Sequence, residues 1–325
     1  MIDLSYIGSG PYCYSSCLAM MLGAEAPPVA IIETVTGSPF GMQLVGGTLP
    51  FFDPYGWNPE IGVDKALAAL GWTAETSSGG ASDTALERLA SYLAHGPVMA
   101  GPIEMGYLRY QPGKTGPIGA DHYLTVLGIN NDQVIVHDPQ GYPFAPLPLD
   151  DFLKAWQADT VDFGEPYTMR TNFTRARLVG IKEALTTSIP HAVNWLRVDP
   201  DHAMPPGSSG NGDAALALAA ALESGRDEGL YEHLIHFAIR VGARRVTDAA
   251  TCLREIERTQ AATVMFRQAQ LIGSLQQSLA IGDNRTAAHT LRTLAPTYDT
   301  LRAELQHNPI PPRPSTEDAA SDHTR

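Results

Sequence analysis

Three residues of this 325-residue chain follow one another in an order that nucleophilic acyl chemistry can use: Cys13, His122 and Asp138. A thiol attacks a carbonyl when a neighbouring base takes its proton, and the base works when a third group fixes its tautomer and stabilises the imidazolium. Cys13 lies behind the Gly8-Ser9-Gly10-Pro11 turn, and Leu18, Met21 and Leu22 recur after it at helical spacing. The pattern predicts a helix that starts at Cys13, where unpaired N–H groups and the positive end of the helix dipole favour the thiolate. A depressed Cys13 pKa is expected, and Cys13 should react faster near neutral pH than Cys17 or Cys252.

His122 and Asp138 read as residues at one end of a β-hairpin. Segments 121–129 and 133–137 have strand character, and Asn130-Asn131-Asp132 between them is a tight turn of residues that tolerate positive φ. An antiparallel return sets the two side chains next to each other. Pro139 stops the second strand and frees the Asp138 carboxylate to face the imidazole.

Other candidates have plainer readings. Cys17, one helical turn beyond Cys13, reads as core rather than as a resolving thiol. The C-x3-C spacing of this pair has no second Cys/His pair of matching form, so no metal site is expected. His137 should point to the side of its strand opposite Asp138 and take no part. Asp121 points away from His122 and reads as solvated or as a substrate contact rather than as the triad acid. His233 and His236 share a helical face without a third ligand. No G-K-[ST] follows the glycines between Gly41 and Gly47, which excludes a phosphate loop.

The elements that must position these residues form an α+β pattern. Helices are expected over 27–35, 61–70, 82–94 and 149–156, and strands over 97–101 and 167–170, besides the hairpin. Between them, 36–59 is an irregular run whose Phe40, Phe51 and Trp57 either wall a substrate cleft or plug the core. Beyond Gly180 strands disappear. A Pro/Gly/Ser-rich linker spans about 199–213, and the faces Leu230, Leu234, Phe237, Val241 and Leu291, Leu294, Tyr298, Leu301, Leu305 predict a helical bundle. The division is then a catalytic domain over 1–178, a helical domain over 179–308 and a disordered tail over 309–325.

Composition narrows the class of partner. With 44% hydrophobic residues the chain can bury a real core, and no run of it is apolar and long enough to span a membrane. No secretory signal is legible at the start, and the sparse, odd cysteine count argues against a disulfide framework, so a cytoplasmic protein with reduced thiols is expected. Four Lys or Arg stand against fourteen Asp or Glu up to Asp150, and eighteen against twenty-one after it. The acidic front half repels nucleic acid and anionic membrane and attracts a small cationic amine.

The run after Cys13, SSCLAMML, and the later DHYLTVLGINNDQVIVHDP resemble the papain-like cysteine peptidases that cut bacteriocin leaders, in residue order and in the His-to-Asp hairpin. The layout of a catalytic half followed by a helical half looks more like the butirosin-biosynthesis acyltransferase family (BtrH-like). That resemblance implies a papain-like fold, an N-terminal helix on an antiparallel sheet, in which a cysteine takes an acyl group from a phosphopantetheinyl carrier-protein or other thioester. The acyl group then passes to an amine as an amide in natural-product assembly, with no intrinsic cofactor. The leader peptidases carry an oxyanion-stabilising glutamine six residues before the cysteine, and Ile7 stands there in this chain. Tyr6, Ser9 and Tyr12 are the nearest polar substitutes, with the Cys13 backbone N–H as the remaining donor. The departure favours an activated thioester over a peptide bond, with a peptidase or amidohydrolase of the same fold as the alternative. A catalytically idle binding module is a third class, against which the intact Cys13, His122 and Asp138 weigh. An acidic carrier protein would find Arg240, Arg244, Arg245, Arg254 and Arg258 on the helical half.

Overall fold

Helix α1 (Cys13–Leu22) starts with the predicted nucleophile as its first residue. The computed structural model describes residues 10, 12–225 and 227–307. The chain continues through α2 (Val29–Val35), the short strands β1 (Gln43–Val45) and β2 (Leu49–Phe51), α3 (Pro59–Leu70), β3 (Trp72–Ser77) and α4 (Ser82–Leu93). Then come β4 (Val98–Glu104), β5 (Asp121–Asn130), β6 (Gln133–Asp138), β7 (Tyr142–Pro148), α5 (Leu149–Gln157) and β8 (Met169–Arg175). The remainder is α6 (Ile181–Trp195), β9 (Ser209–Gly210), α7 (Asn211–Ser224), α8 (Glu228–His233), α9 (Ile239–Glu255), α10 (Thr259–Ala280), α11 (Asn284–Leu294) and α12 (Thr297–Gln306). The protein is thus mixed α+β, with antiparallel sheets and a C-terminal helical region.

Six strands make an antiparallel sheet in the order β3-β8-β4-β5-β6-β7. The β5–β6 hairpin turns where Asn131 takes a left-handed conformation (φ 43), which asparagine tolerates better than most residues. One core, built from α1, α2 and α3 with Met99 and Tyr123, covers one side of the sheet. A second, with Leu124, Val126, Val136, Phe152 and Trp156, packs α4 and α5 on the sheet strands. Arg170 of β8 ties α3 down by forking onto Glu60 at 2.7 and 3.0 Å and reaching Asp64 at 3.1 Å.

Several expectations are corrected. The run 36–59 contains the β1–β2 hairpin, and β9, inside the expected linker, pairs with β1 through Gln43↔Gly210 and Leu44↔Ser209. Strands therefore do not vanish after Gly180. Such short pairings carry no periodicity for a sequence reading to find. β3 and β7 are strands where none was expected.

Much of the aromatic run plugs cores, while Phe51 and Phe52 line a small hollow against α9. Phe40 joins Met42, Leu44 and Phe52 in the core of the helical half, while Trp57 is buried in the α1–α3 core with its indole N–H donating to the Thr36 carbonyl at 3.1 Å. Phe51 stacks edge-on against His233 and Phe237. In the helical half a π-helical turn over Leu234–Ala238 lies between α8 and α9. Its extra residue shifts the phase of the helix, so Phe237 is 43% exposed although Leu234 and Val241 are buried. The predicted tail, 309–325, lies outside the described residues.

Candidate active site

The α1–β5 contact brings the two chemical elements of the sequence together. The Cys13 thiol lies beside His122, whose Nε2 lies 2.7 Å from Asp138 Oδ1. With Nε2 so engaged, Nδ1 is the ring nitrogen left for the sulfur. Cys13 is half-buried, whereas His122 and Asp138 are closed off from solvent.

Asp138 is held from several directions. Its Oδ2 accepts from Gln111 Nε2 at 2.6 Å and from the Tyr110 hydroxyl at 3.0 Å, and its Oδ1 accepts from the Gln140 backbone N–H at 2.8 Å. Burial opposes the charge on this carboxylate, yet His122 and these donors keep its pKa below the usual aspartate value. Burial likewise opposes the imidazolium, but Asp138 outweighs it and holds His122 up to about 10. For Cys13 the balance differs from the sequence expectation. Burial pushes the thiol up, against the downward pull of His122. The helix start alone does not make a low-pKa thiol when the sulfur is desolvated. The site therefore rests as a thiol beside a protonated ring and gains its thiolate as pH rises.

Tyr110 and Gln111 escaped the sequence reading, because they lie in a Gly/Pro-rich loop without periodicity. That loop is anchored by Glu104 at the end of β4. Its carboxylate accepts from the backbone N–H groups of Gly106 (2.8 Å), Ile118 (3.1 Å) and Gly119 (2.8 Å) and from the Thr160 hydroxyl. Buried carboxylates need such donors, and these four fold the loop back over the end of the sheet.

The first α-helical hydrogen bond runs from Ser16 N–H to the Tyr12 carbonyl at 2.9 Å, so the N–H groups of Cys13, Tyr14 and Ser15 precede it. The Cys13 N–H is thus available to a developing oxyanion. Of the side-chain oxyanion candidates, Tyr6 and Ser9 lie outside the described residues. Tyr12 is not a donor to the site. It is buried, and its hydroxyl donates to Asp248 Oδ2 at 2.9 Å.

Asp121 is partly exposed, and burial raises its carboxyl to about 6, with Asp53 nearby adding to the rise and His122 opposing it. Cys17 is fully buried and its thiol is pushed up by desolvation, which suits core and not redox chemistry. His137 turns away as expected, accepting the Phe144 N–H at Nδ1. His233 is tied to the Pro50 carbonyl at 2.7 Å and His236 pairs with Glu232 at 3.2 Å. Among the described residues no three His, Cys, Asp or Glu converge as metal ligands.

The expected basic surface on the helical half is largely engaged. Arg245 is buried, Arg244 lies over the Tyr12 ring and pairs with Asp248, Arg254 lies over Phe266, and Arg258 donates to the His307 carbonyl.

Residues 205–306 match the family described as YobF C-terminal domain. The chain is also similar to the uncharacterized protein YobF of Bacillus subtilis (strain 168), with 36% identity over 163 residues, which is 49% of this chain and 52% of that relative. The chain thus spans about half the length of the curated relative it matches. The family match covers the helical half and leaves Cys13, His122 and Asp138 outside it.

Proposed function

We propose that this protein is a cysteine-dependent acyltransferase of papain-like architecture, similar to the BtrH-like acyltransferases, that acts in the cytoplasm on an acyl thioester and an amine. The observation that carries the reading is the placing of Cys13 beside His122 and of His122 against Asp138, closed from behind by Gln111 and Tyr110.

In the productive form one proton is shared between sulfur and imidazole. Cys13 Sγ bonds the thioester carbonyl carbon while His122 carries its proton, and the Cys13 N–H receives the charge that builds on the carbonyl oxygen. The donor C–S bond then breaks, and the departing thiolate takes the proton from His122. An amine attacks the acyl-enzyme, His122 accepts one of its protons, and the S–C bond to Cys13 breaks with return of that proton to sulfur. The products are an amide and the Cys13–His122 pair with its one shared proton.

Two features favour transfer over hydrolysis. Ile7 replaces the peptidase glutamine, so a pre-activated thioester suits the site better than a peptide. Asp53 lies close enough to Asp121 to help raise its carboxyl to about 6, and near pH 7 the ionised Asp121 attracts an ammonium group. A phosphopantetheinyl carrier protein is the natural donor class for such a thioester.

The test preloads the protein with an acyl-pantetheine thioester and adds a polyamine, an aminosugar or an amino acid. The expected outcome is amide formation with ping-pong kinetics and an acceptor KM that rises with salt. Free acid as the dominant product with every amine, together with useful cleavage of a peptide, replaces this reading with a hydrolase.

A further inference from the structure

The residues on both sides of Cys13 are held by one helix of the C-terminal half. Before it, the Tyr12 hydroxyl donates to Asp248 of α9 at 2.9 Å while Arg244 of α9 covers the Tyr12 ring, 4.7 Å from its centroid. After it, the Tyr14 hydroxyl donates to Glu33 Oε1 at 2.7 Å and accepts from Arg245 Nη2 of α9 at 2.9 Å. The Ser15 hydroxyl donates to Glu33 Oε2 at 2.6 Å, and Arg245 Nε completes the Glu33 carboxylate at 2.7 Å. Arg245 Nη1 reaches on to Asp53 at 3.1 Å.

Successive residues of a helix point about 100° apart, so Tyr12, Tyr14 and Ser15 grip the start of α1 on the sides that Cys13 does not use. A helix held in this way cannot turn about its axis. Rotation by about 20° would carry a sulfur roughly 5 Å from the axis by more than 1 Å, and a misplacement of that size costs on the order of 10² in rate.

We propose that Arg245, acting through Glu33 and Tyr14, is a positioning residue for the Cys13 nucleophile, so that α9 of the helical half completes the active site of the front half. The proposal rests on Cys13 being the nucleophile.

The experiment measures the second-order rate of Cys13 carboxamidomethylation against pH by peptide mapping, the kcat and KM of acyl transfer, and the melting temperature. The proteins are the full-length wild type, Arg245→Lys, Tyr14→Phe, Ser15→Ala and His122→Ala. Arg245→Lys keeps the charge and loses the fork; Tyr14→Phe removes one hydroxyl and keeps the ring against Trp57 and Tyr123. The expected result for Arg245→Lys and Tyr14→Phe is a fall of about 10- to 100-fold in kcat and in the Cys13 alkylation rate, with the pH midpoint displaced toward that of His122→Ala and the donor KM within about twofold. If Arg245→Lys does not fold, Tyr14→Phe and Ser15→Ala carry the test alone. Folded variants with wild-type alkylation rate, pH midpoint and kcat overturn the positioning role while leaving the nucleophile intact. A wild-type Cys13 that reacts no faster than Cys17, and no differently in His122→Ala, overturns the nucleophile itself.

Discussion

Two buried charged clusters meet at the start of α1, and they use the same materials for different ends. In one, Asp138 collects His122, Gln111, Tyr110 and a backbone N–H. In the other, Glu33 collects Arg245, Tyr14, Ser15 and Ser38, with Asp53 completing the guanidinium. Both surround a carboxylate with donors, as burial of charge requires. The difference lies in the cationic partner. Arg245 sits among two carboxylates that hold its pKa well above an already high value, so no proton moves in that cluster. His122 sits between a carboxylate held low and a thiol held high, so its proton has two places to go. A guanidinium makes a fixed joint and an imidazole makes a working one.

Exchanging the working cation breaks activity most. His122→Ala should reduce acyl transfer by about 10³-fold or more, because general acid–base help is lost, and should lower stability at neutral pH as well, because Asp138 stays buried without its cation. Arg245→Ala should lose less activity, about 10- to 100-fold through the positioning of Cys13. Leaving Glu33 buried without its guanidinium should cost about 3–5 kcal/mol of stability in a denaturant titration. If Arg245→Ala lost as much activity as His122→Ala, the distinction between joint and working group would fail.

Asp138→Asn comes next. The carboxylate accepts from the His122, Gln111, Tyr110 and Gln140 donors, and an amide must turn its NH2 toward one of them. Transfer should fall by about 10²-fold or more from loss of the tautomer, with about 1–3 kcal/mol lost from the unsatisfied donor. Glu104→Gln should have a smaller effect, about tenfold, by loosening the loop that carries Tyr110 and Gln111.

The pH dependence follows from the direction of the shifts. Because burial raises the Cys13 thiol, alkylation should be slow at pH 7 and climb through the alkaline range, the opposite of a low-pKa thiolate that is already saturated there. His122, raised to about 10, contributes ion-pair stability that is complete below its ordinary value of about 6.5 and lost as pH rises through 10. His122→Ala should flatten that alkaline loss. The smallest expected effect is that of Cys17→Ala, within about twofold in transfer rate, since the side chain is buried behind the site and only packing changes.

How legible all this was depends on the range of the signal. Cys13 at a helix start, the β5–β6 hairpin and the placing of His122 beside Asp138 come from local patterns: apolar periodicity, a turn triplet and strand spacing. What the sequence concealed is carried by long-range partners with no local mark. Gln111 meets Asp138 across a loop shaped by Glu104, β9 is a two-residue strand inside an apparent linker, and Arg245 looks like ordinary helix charge until Glu33 and Asp53 bury it. The thiol's direction of shift was missed for a related reason, since the helix dipole is local and desolvation belongs to the assembled fold.

The central claim is that Cys13, driven by His122 and Asp138, carries an acyl group. Its most direct test is intact-protein mass spectrometry after brief exposure to a panel of acyl-pantetheine thioesters, with the adduct located by peptide mapping in the wild type, Cys13→Ala and His122→Ala. The account predicts one acyl group on the Cys13 peptide of the wild type, absent from Cys13→Ala, strongly slowed in His122→Ala and discharged when an amine is added. An adduct on Cys17 or Cys252, or amide formation that survives in Cys13→Ala, would contradict it.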